Sequence, residues 1–238
     1  IDKNKTILEV GPGHGSLTKK ILDEKPNLLL AVEKDKNLTF QLKKKFKDNN
    51  KLEIINDDII NYIQNRNLTQ NTIVFGNLPY NISTQILASL ILLKKWPPWY
   101  TKLIFMFQKE VADRIIAKEK TKKFGRLSIL CNWRLDIKKH FDVSKNCFFP
   151  KPKINSTVLS FTPIKNNKFH LKNPKSLEKV TRILFSNRRK IISKNFLRLF
   201  KNDISVSKNL NLDLRQRPGE LSNEAFYNIA IKYEKLFS

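Results

Sequence analysis

The run Gly76-Asn77-Leu78-Pro79-Tyr80 combines residue types that could act on an aromatic amine. It follows an apolar stretch, Thr72–Gly76, that reads as a strand. The Asn77 side-chain carbonyl and the Leu78 backbone carbonyl are two acceptors at fixed spacing. That pair suits the two N–H groups of a planar exocyclic amine such as adenine N6. The nitrogen lone pair there is delocalised into the ring, so the amine is a poor nucleophile. Holding both hydrogens draws the nitrogen towards tetrahedral geometry and frees the lone pair. Pro79 stiffens the turn and removes a competing donor, and Tyr80 can stack on the base. No strong base is needed, because the proton can leave to water after transfer. The protein's contribution would be orientation and preorganised electrostatics. A turn of this composition ahead of a helix is also common without any chemistry.

A second group lies upstream. Glu9-Val10-Gly11-Pro12-Gly13-His14-Gly15 stands where a first strand passes into a first helix. Glycines there permit a tight turn and close approach of backbone to ligand. The spacing is G-x-G-x-G, with Ser16 where the dinucleotide fingerprint G-x-G-x-x-G has its third glycine. This argues against a pyrophosphate cofactor and fits the pattern usual in S-adenosylmethionine enzymes. Glu33 ends the second strand about 20 residues on, where a carboxylate can accept ribose hydroxyls. Asp57-Asp58 ends the third, where a carboxylate can accept an adenine amine. Acidic residues at strand ends are common, so the weight rests on their company with the loop.

The third group is Phe148-Phe149-Pro150-Lys151-Pro152-Lys153-Ile154-Asn155-Ser156. Alternating prolines favour an extended loop, and Phe148 could close the second face of an extracted base. A proline-stiffened connection between strands would read the same way.

These groups need a scaffold that brings strand ends to one edge. Strand-like stretches at Thr6–Val10, Leu28–Glu33, Leu52–Asn56, Thr72–Gly76 and Leu103–Phe107 alternate with helical patterns at Ser16–Glu24, Leu38–Phe46, Ile82–Lys94 and about 109–118. Leu28–Glu33 lacks polar alternation, as a buried parallel strand would. Leu127–Leu135, Ile137–Val143 and Thr157–Phe161 read as further strands. The expected fold is α/β, a Rossmann-like S-adenosylmethionine-dependent methyltransferase sheet with a small C-terminal helical domain. The composition shifts near Thr162-Pro163, and Ile164–Lys172 reads as a linker. Helical patterns follow at Leu177–Phe185, Lys190–Phe200 and Asn223–Phe237. Residues 1–163 are thus expected to form the catalytic domain and 164–238 a helical RNA-binding domain.

The chain has 238 residues, 40% of them apolar and 28% charged, which suits a globular protein with a sizeable core. Its 46 basic and 21 acidic side chains give a net charge of +25. Such an excess points to a polyanionic partner, since each phosphate neutralised releases counterions. Biased codon usage could supply part of the lysine count but not a pair such as Arg188-Arg189. A basic membrane-surface role lacks a helix that opposes an aromatic face to a basic one. No apolar run reaches the length of a membrane span. Two cysteines and three scattered histidines suggest no metal site, and reduced thiols of a cytoplasmic protein. Ile1 is not a methionine and a core strand begins at Thr6, so a preceding segment is expected.

The motifs together resemble the ribosomal RNA adenine dimethyltransferase family, the enzymes of bacterial kasugamycin sensitivity and their relatives. The likeness runs in order through Glu9–Gly13, Gly76–Ser83, Phe107–Val111, Phe124–Ser128, Phe148-x-Pro150-x-Pro152-Lys153, Asn187–Lys190 and Arg217-Pro218. The resemblance implies that Gly11, Gly13, Glu33, Asp58 and Asn77 contact S-adenosylmethionine. It implies that Asn77, Leu78, Pro79 and Tyr80 hold the target amine, with Phe148 beside the base. It also implies a substrate of two adjacent adenosines near the 3′ end of small-subunit (16S) rRNA, within the assembling 30S subunit. Arg188, Arg189 and Lys190 would meet rRNA phosphates, or simply form a solvated face. A monomer is expected. The family carries an N-terminal Gln-Asn-Phe-Leu-like segment that closes over the cofactor; without it, weak cofactor binding is expected. Two other readings stay open. One is a resistance enzyme acting on a large-subunit rRNA adenine. The other is a binding module, an assembly checkpoint or transcription factor, that kept the fold without the chemistry.

Overall fold

Ile7, Leu8 and Val10 make Thr6–Val10 a buried strand, β1, at the middle of the sheet. The computed structural model describes residues 5–65, 71–149 and 151–237. Six further strands join β1: β2 (Leu28–Glu33), β3 (Leu52–Asn56), β4 (Thr72–Asn77), β5 (Tyr100–Gln108), β6 (Leu135–Val143) and β7 (Ser156–Pro163). Their order is β3-β2-β1-β4-β5-β7-β6. The first five are parallel, and β7 runs antiparallel to β5. The helices between them are α1 (Ser16–Asp23), α2 (Lys36–Lys45), α3 (Ile59–Asn65), α4 (Ser83–Ile91), α5 (Lys109–Ile115) and α6 (Arg126–Arg134). The order reverses between β1 and β4, and ligands of open α/β sheets bind at the carboxyl ends of strands at such a point. Behind it, Phe105, Phe107 and Phe161 form an aromatic core, with ring centroids 6.1–6.4 Å apart.

Leu127–Leu135, expected as a strand, is instead the helix α6. Its residues 128–131 and 133–134 are all buried. Burial on nearly every side erases the helical period that would have distinguished it from a buried strand. Its start is fixed locally: the Ser128 hydroxyl accepts from Gly125 N–H at 3.0 Å and donates to the Gly125 carbonyl at 2.8 Å.

The chain forms two compact units, 1–90 with 97–112 and 137–163, and 91–96 with 113–136 and 164–238. The boundary expected at 163/164 is one crossing between them, but 91–96 and 113–136 group with the C-terminal helices. The reason lies in α6. Tyr227 donates its hydroxyl to the Ile129 carbonyl at 3.1 Å, and Trp133 its indole N–H to the Phe169 carbonyl at 3.0 Å. Arg134 is buried against Trp96 and Trp133 and donates to the carbonyls of Ile91 and Leu93.

The second unit continues with α7 (Lys175–Leu184), α8 (Ser193–Leu199), α9 (Ser205–Asn209) and α10 (Asn223–Phe237). The stretch 164–172 is irregular, as a linker would be, yet it is anchored: Trp96 donates to the Ile164 carbonyl and Lys172 N–H to Glu234. The helix expected over Lys190–Phe200 begins only at Ser193, because Ile192 N–H bonds the Gln216 carbonyl instead of its own helix. No helix among the described residues is long and apolar enough to cross a membrane.

Candidate active site

Parallel pairing places the ends of β3, β2, β1 and β4 side by side. Val10 pairs with Val32 on one side and Gly76 on the other, and Glu33 pairs with Asn56. The glycine loop, Glu33, Asp58 and the Asn77 turn therefore occupy one edge of the first unit.

The loop requires its glycines. Gly11, Gly13 and Gly15 have φ of 65°, 56° and 77°, in the left-handed region that side chains disfavour. A Cβ on Gly15 would also lie 2.7 Å from Phe46 and 2.8 Å from Leu42. A Cβ on Gly13 would meet nothing, and one on Gly11 only Pro79, at 4.0 Å. The space over the loop is open, and the Asn77–Pro79 turn borders it.

Glu33 holds this loop. One carboxylate oxygen accepts from Gly13 N–H at 3.1 Å, the other from Asp35 N–H at 3.0 Å. Each oxygen retains acceptor capacity. Asp35 in turn caps α2, accepting from Asn37 and Leu38 N–H at 2.8 and 3.0 Å. Asn56 bridges the carbonyls of Glu33 and Lys34 at 3.0 and 3.1 Å. Asp58 lies 3.0 Å from the Lys34 ammonium, and that bond, with the Ile60 N–H, holds its carboxyl below the usual range. It is thus an ionised acceptor at neutral pH. An open loop flanked by two carboxylates fits a nucleoside bearing a cationic amino-acid tail.

Glu9 lies under the loop, 1% exposed, with Oε2 unpartnered. Burial raises its pKa from 4.5 to about 7, against the opposing pull of Thr18. A carboxyl whose folded pKa is raised stabilises the fold least when ionised. Stability should therefore fall as pH rises from about 4.5 to about 7, by on the order of 3 kcal/mol, and then level off. Urea titrations of the wild type and Glu9→Gln at pH 5 and pH 8 check this. The wild type should lose stability between the two and the variant should lose much less; parallel behaviour would remove Glu9 from the account.

At the end of β4, Asn77 is exposed and its carboxamide makes no hydrogen bond among the described residues. Leu78 is 1% exposed, so its side chain anchors the turn. A Cβ on Gly76 would come within 2.6 Å of Leu78. Pro79 carbonyl accepts from Ile82 N–H, and Ser83 donates to the Tyr80 carbonyl at 3.2 Å, leading into α4.

The Tyr80 hydroxyl lies 2.9 Å from Ser156 Oγ, and Ser156 is fully buried at the start of β7. This contact ties the Asn77–Tyr80 turn to the connection that carries Phe148. Phe148 itself is half-buried in the β6–β7 loop, which opens at the same edge because Ser156 pairs with Gln108, the last residue of β5. Asn155 braces that loop, accepting from Lys145 N–H and Lys109 N–H at 3.0 Å each. Pro150 lies outside the described residues. Ser156 closes the Phe148–Ser156 stretch, but nothing in its type or spacing signalled a link to Tyr80. Ser156→Ala removes one hydrogen bond, worth about 1 kcal/mol, and should lower kcat/KM by roughly fivefold. Ser156→Thr should restore part of it in a single-turnover assay.

Arg188, Arg189 and Lys190 form an exposed turn of the second unit. Arg188 is committed locally: it donates to the Lys122 carbonyl and lies over the Phe185 ring, with its guanidinium beside Gly125. Cys131 is buried and Cys147 exposed. Among the described residues no three His, Cys, Asp or Glu side chains gather as a metal site.

A family model described as ribosomal RNA adenine dimethylase matches residues 1–235. The chain is 48% identical over 233 residues to ribosomal RNA small subunit methyltransferase A of Pelagibacter ubique, covering 98% of this chain and 88% of that protein. It is 37% identical over 239 residues to the protein of the same name from a Wolbachia of Drosophila simulans, covering 99% and 85%. Among solved structures, a dimethyladenosine transferase from Plasmodium falciparum matches with a TM-score of 0.78 at 24% identity, over 99% of this chain and 92% of that one. The 23S rRNA methyltransferase ErmE matches with a TM-score of 0.68 at 17% identity, over 98% and 92%. At those identities the two structures are alike in fold. The chain belongs to the ribosomal RNA adenine dimethylase family.

Proposed function

We infer that this protein transfers methyl groups from S-adenosylmethionine to adenine N6 in small-subunit rRNA, giving N6,N6-dimethyladenosine at two adjacent positions near the 3′ end. The observation that carries this is the adjacency at the switch point: the Asn77 turn, with its uncommitted carboxamide, borders the open glycine loop through Pro79 and Gly11. When bound, S-adenosylmethionine supplies an electrophilic methyl carbon.

The chain's own residues do the rest. Gly11 and Gly13 let the backbone approach the cofactor, Glu33 takes its ribose hydroxyls and Asp58 its adenine amine. Asn77 and Leu78 accept the two N6 hydrogens of the target and localise its lone pair. Tyr80, aimed by Ser156, stacks on one face of the base, and Phe148 meets the other. The proton released afterwards passes to water. Catalysis is positional and electrostatic rather than by general base.

Residues 164–238 carry the rRNA-contacting part, with Arg188, Arg189 and Lys190 against phosphates. The partner is the assembling 30S subunit, and the protein works in the cytoplasm as a monomer.

The test is transfer of labelled methyl from S-adenosylmethionine to small subunits and to large subunits, each from a strain lacking the modification. Label on small subunits supports the assignment. Label on large subunits alone would make it a resistance-type enzyme instead. Tight subunit binding without any label would mean a binding module that kept the fold.

A further inference from the structure

The charge of the second unit is not confined to the Arg188–Lys190 turn. A cleft of about 900 Å³ is lined by Lys179 and Arg182 of α7, Arg198 of α8 and Lys201 just beyond it, with Tyr233 and Phe237 of α10 as an aromatic wall. A second cleft of about 570 Å³ shares Arg198 and Lys201 and adds Lys194 and Asn187. The two make one track, and no Asp or Glu lines either. Among acids near the track in sequence, Glu234 accepts from Lys172 and Asn173 N–H at 2.7 Å each and Asp203 from Ser205, while Glu178, beside Lys179 on α7, lines neither cleft.

We propose that this track binds the sugar–phosphate backbone of RNA, in addition to the adjoining Arg188-Arg189-Lys190 turn. The proposal rests on the reading of the chain as an rRNA-modifying protein and adds where else on it the rRNA is gripped. Five cations from three segments converge with no acid to neutralise them, an arrangement that repels itself until an anion arrives. Arg182 and Arg198 present planar forks that match phosphate oxygens. The wall is apolar and aromatic; Lys179 and Lys201 lie 4.9 and 5.2 Å from the Tyr233 and Phe237 ring centroids, and Lys179 also donates to the Tyr233 hydroxyl, which leaves two of its three N–H donors for phosphate. Exposed Leu236 and Phe237 give a ribose or base edge apolar contact while phosphates meet the cations.

Lys201 itself has φ of 51°, in the turn where Asn202 N–H bonds the Leu197 carbonyl at 2.8 Å. Glycine is the residue that adopts this conformation without cost. Lys201→Gly therefore removes the cation without straining the fold.

The test combines Arg182→Gln, Arg198→Gln and Lys201→Gly in one full-length protein, with Arg188→Gln/Arg189→Gln/Lys190→Gln as a second variant. Binding to unmethylated small subunits and to protein-free 16S rRNA is measured across a salt series, and thermal melting checks folding. The cleft variant should bind both about tenfold or more weakly. Its slope of log affinity against log salt should be shallower by about 2, because each lost phosphate contact removes about 0.7–0.9. Unaltered affinity and slope would overturn the proposal. So would weakened binding to subunits with wild-type binding to bare rRNA, since the partner would then be an acidic protein surface. Loss of methyl transfer by the wild type with the slopes behaving as expected would defeat the functional reading and leave the cleft assignment standing.

Discussion

Asn77→Ala is expected to cut the single-turnover methylation rate by about 10²–10³-fold, the usual effect of deleting one preorganised polar group at a reacting centre. Its side chain is exposed and braces nothing, so the fold should be unaffected. The rate must be read at saturating cofactor and subunit, because Asn77 also lies beside the glycine loop. Asn77→Asp keeps an acceptor oxygen at the same place and should retain more of the rate than Ala. Equal loss in both would mean that the amide N–H, not its carbonyl, does the work. A near-normal rate in Asn77→Ala would remove the amine-acceptor role altogether.

Glu33→Ala should be as severe through a different step. The substitution removes two carboxylate bonds to backbone N–H groups, at Gly13 and Asp35, and with them the acceptors offered to the ribose. Bonds to a charged group are worth about 1.5–3 kcal/mol each. S-adenosylmethionine should therefore bind about 10²–10³-fold more weakly by calorimetry. Glu33→Gln keeps oxygen and size but not charge and should fall between. If Glu33→Ala binds the cofactor like the wild type, the ribose assignment is wrong, whatever happens to activity.

How far the sequence reveals this site depends on which interactions are local. β1 and β2 are apolar runs buried almost throughout, β4 alternates buried with half-buried residues and β3 is only half-buried, yet all four are bounded in the sequence by the glycine loop, by Glu33, by Asp57-Asp58 and by Asn77. Parallel pairing then brings those ends together, so the convergence of these groups on one edge was legible. α6 was not, because burial on nearly all sides makes a helix read like a strand. α3 and α9, of seven and five residues, are too short to show a period. The Tyr80–Ser156 contact spans 76 residues and comes from β7 running antiparallel beside β5. Arg134 between two tryptophans, and the cationic track over α7, α8 and the end of α10, are likewise products of tertiary packing. The three basic residues legible as a run, Arg188-Arg189-Lys190, include one that the fold already uses on the Lys122 carbonyl.

The central claim is that the Asn77 turn and the glycine loop together dimethylate adjacent adenosines. Mass spectrometry of the 3′-terminal fragment of 16S rRNA tests it most directly, after incubation of unmethylated small subunits with the protein and S-adenosylmethionine. Two neighbouring adenosines each carrying two methyl groups, absent with Asn77→Ala, is the predicted result. A fragment of unchanged mass under conditions where the protein binds the subunit, or methyl groups on a base other than adenine, would contradict it.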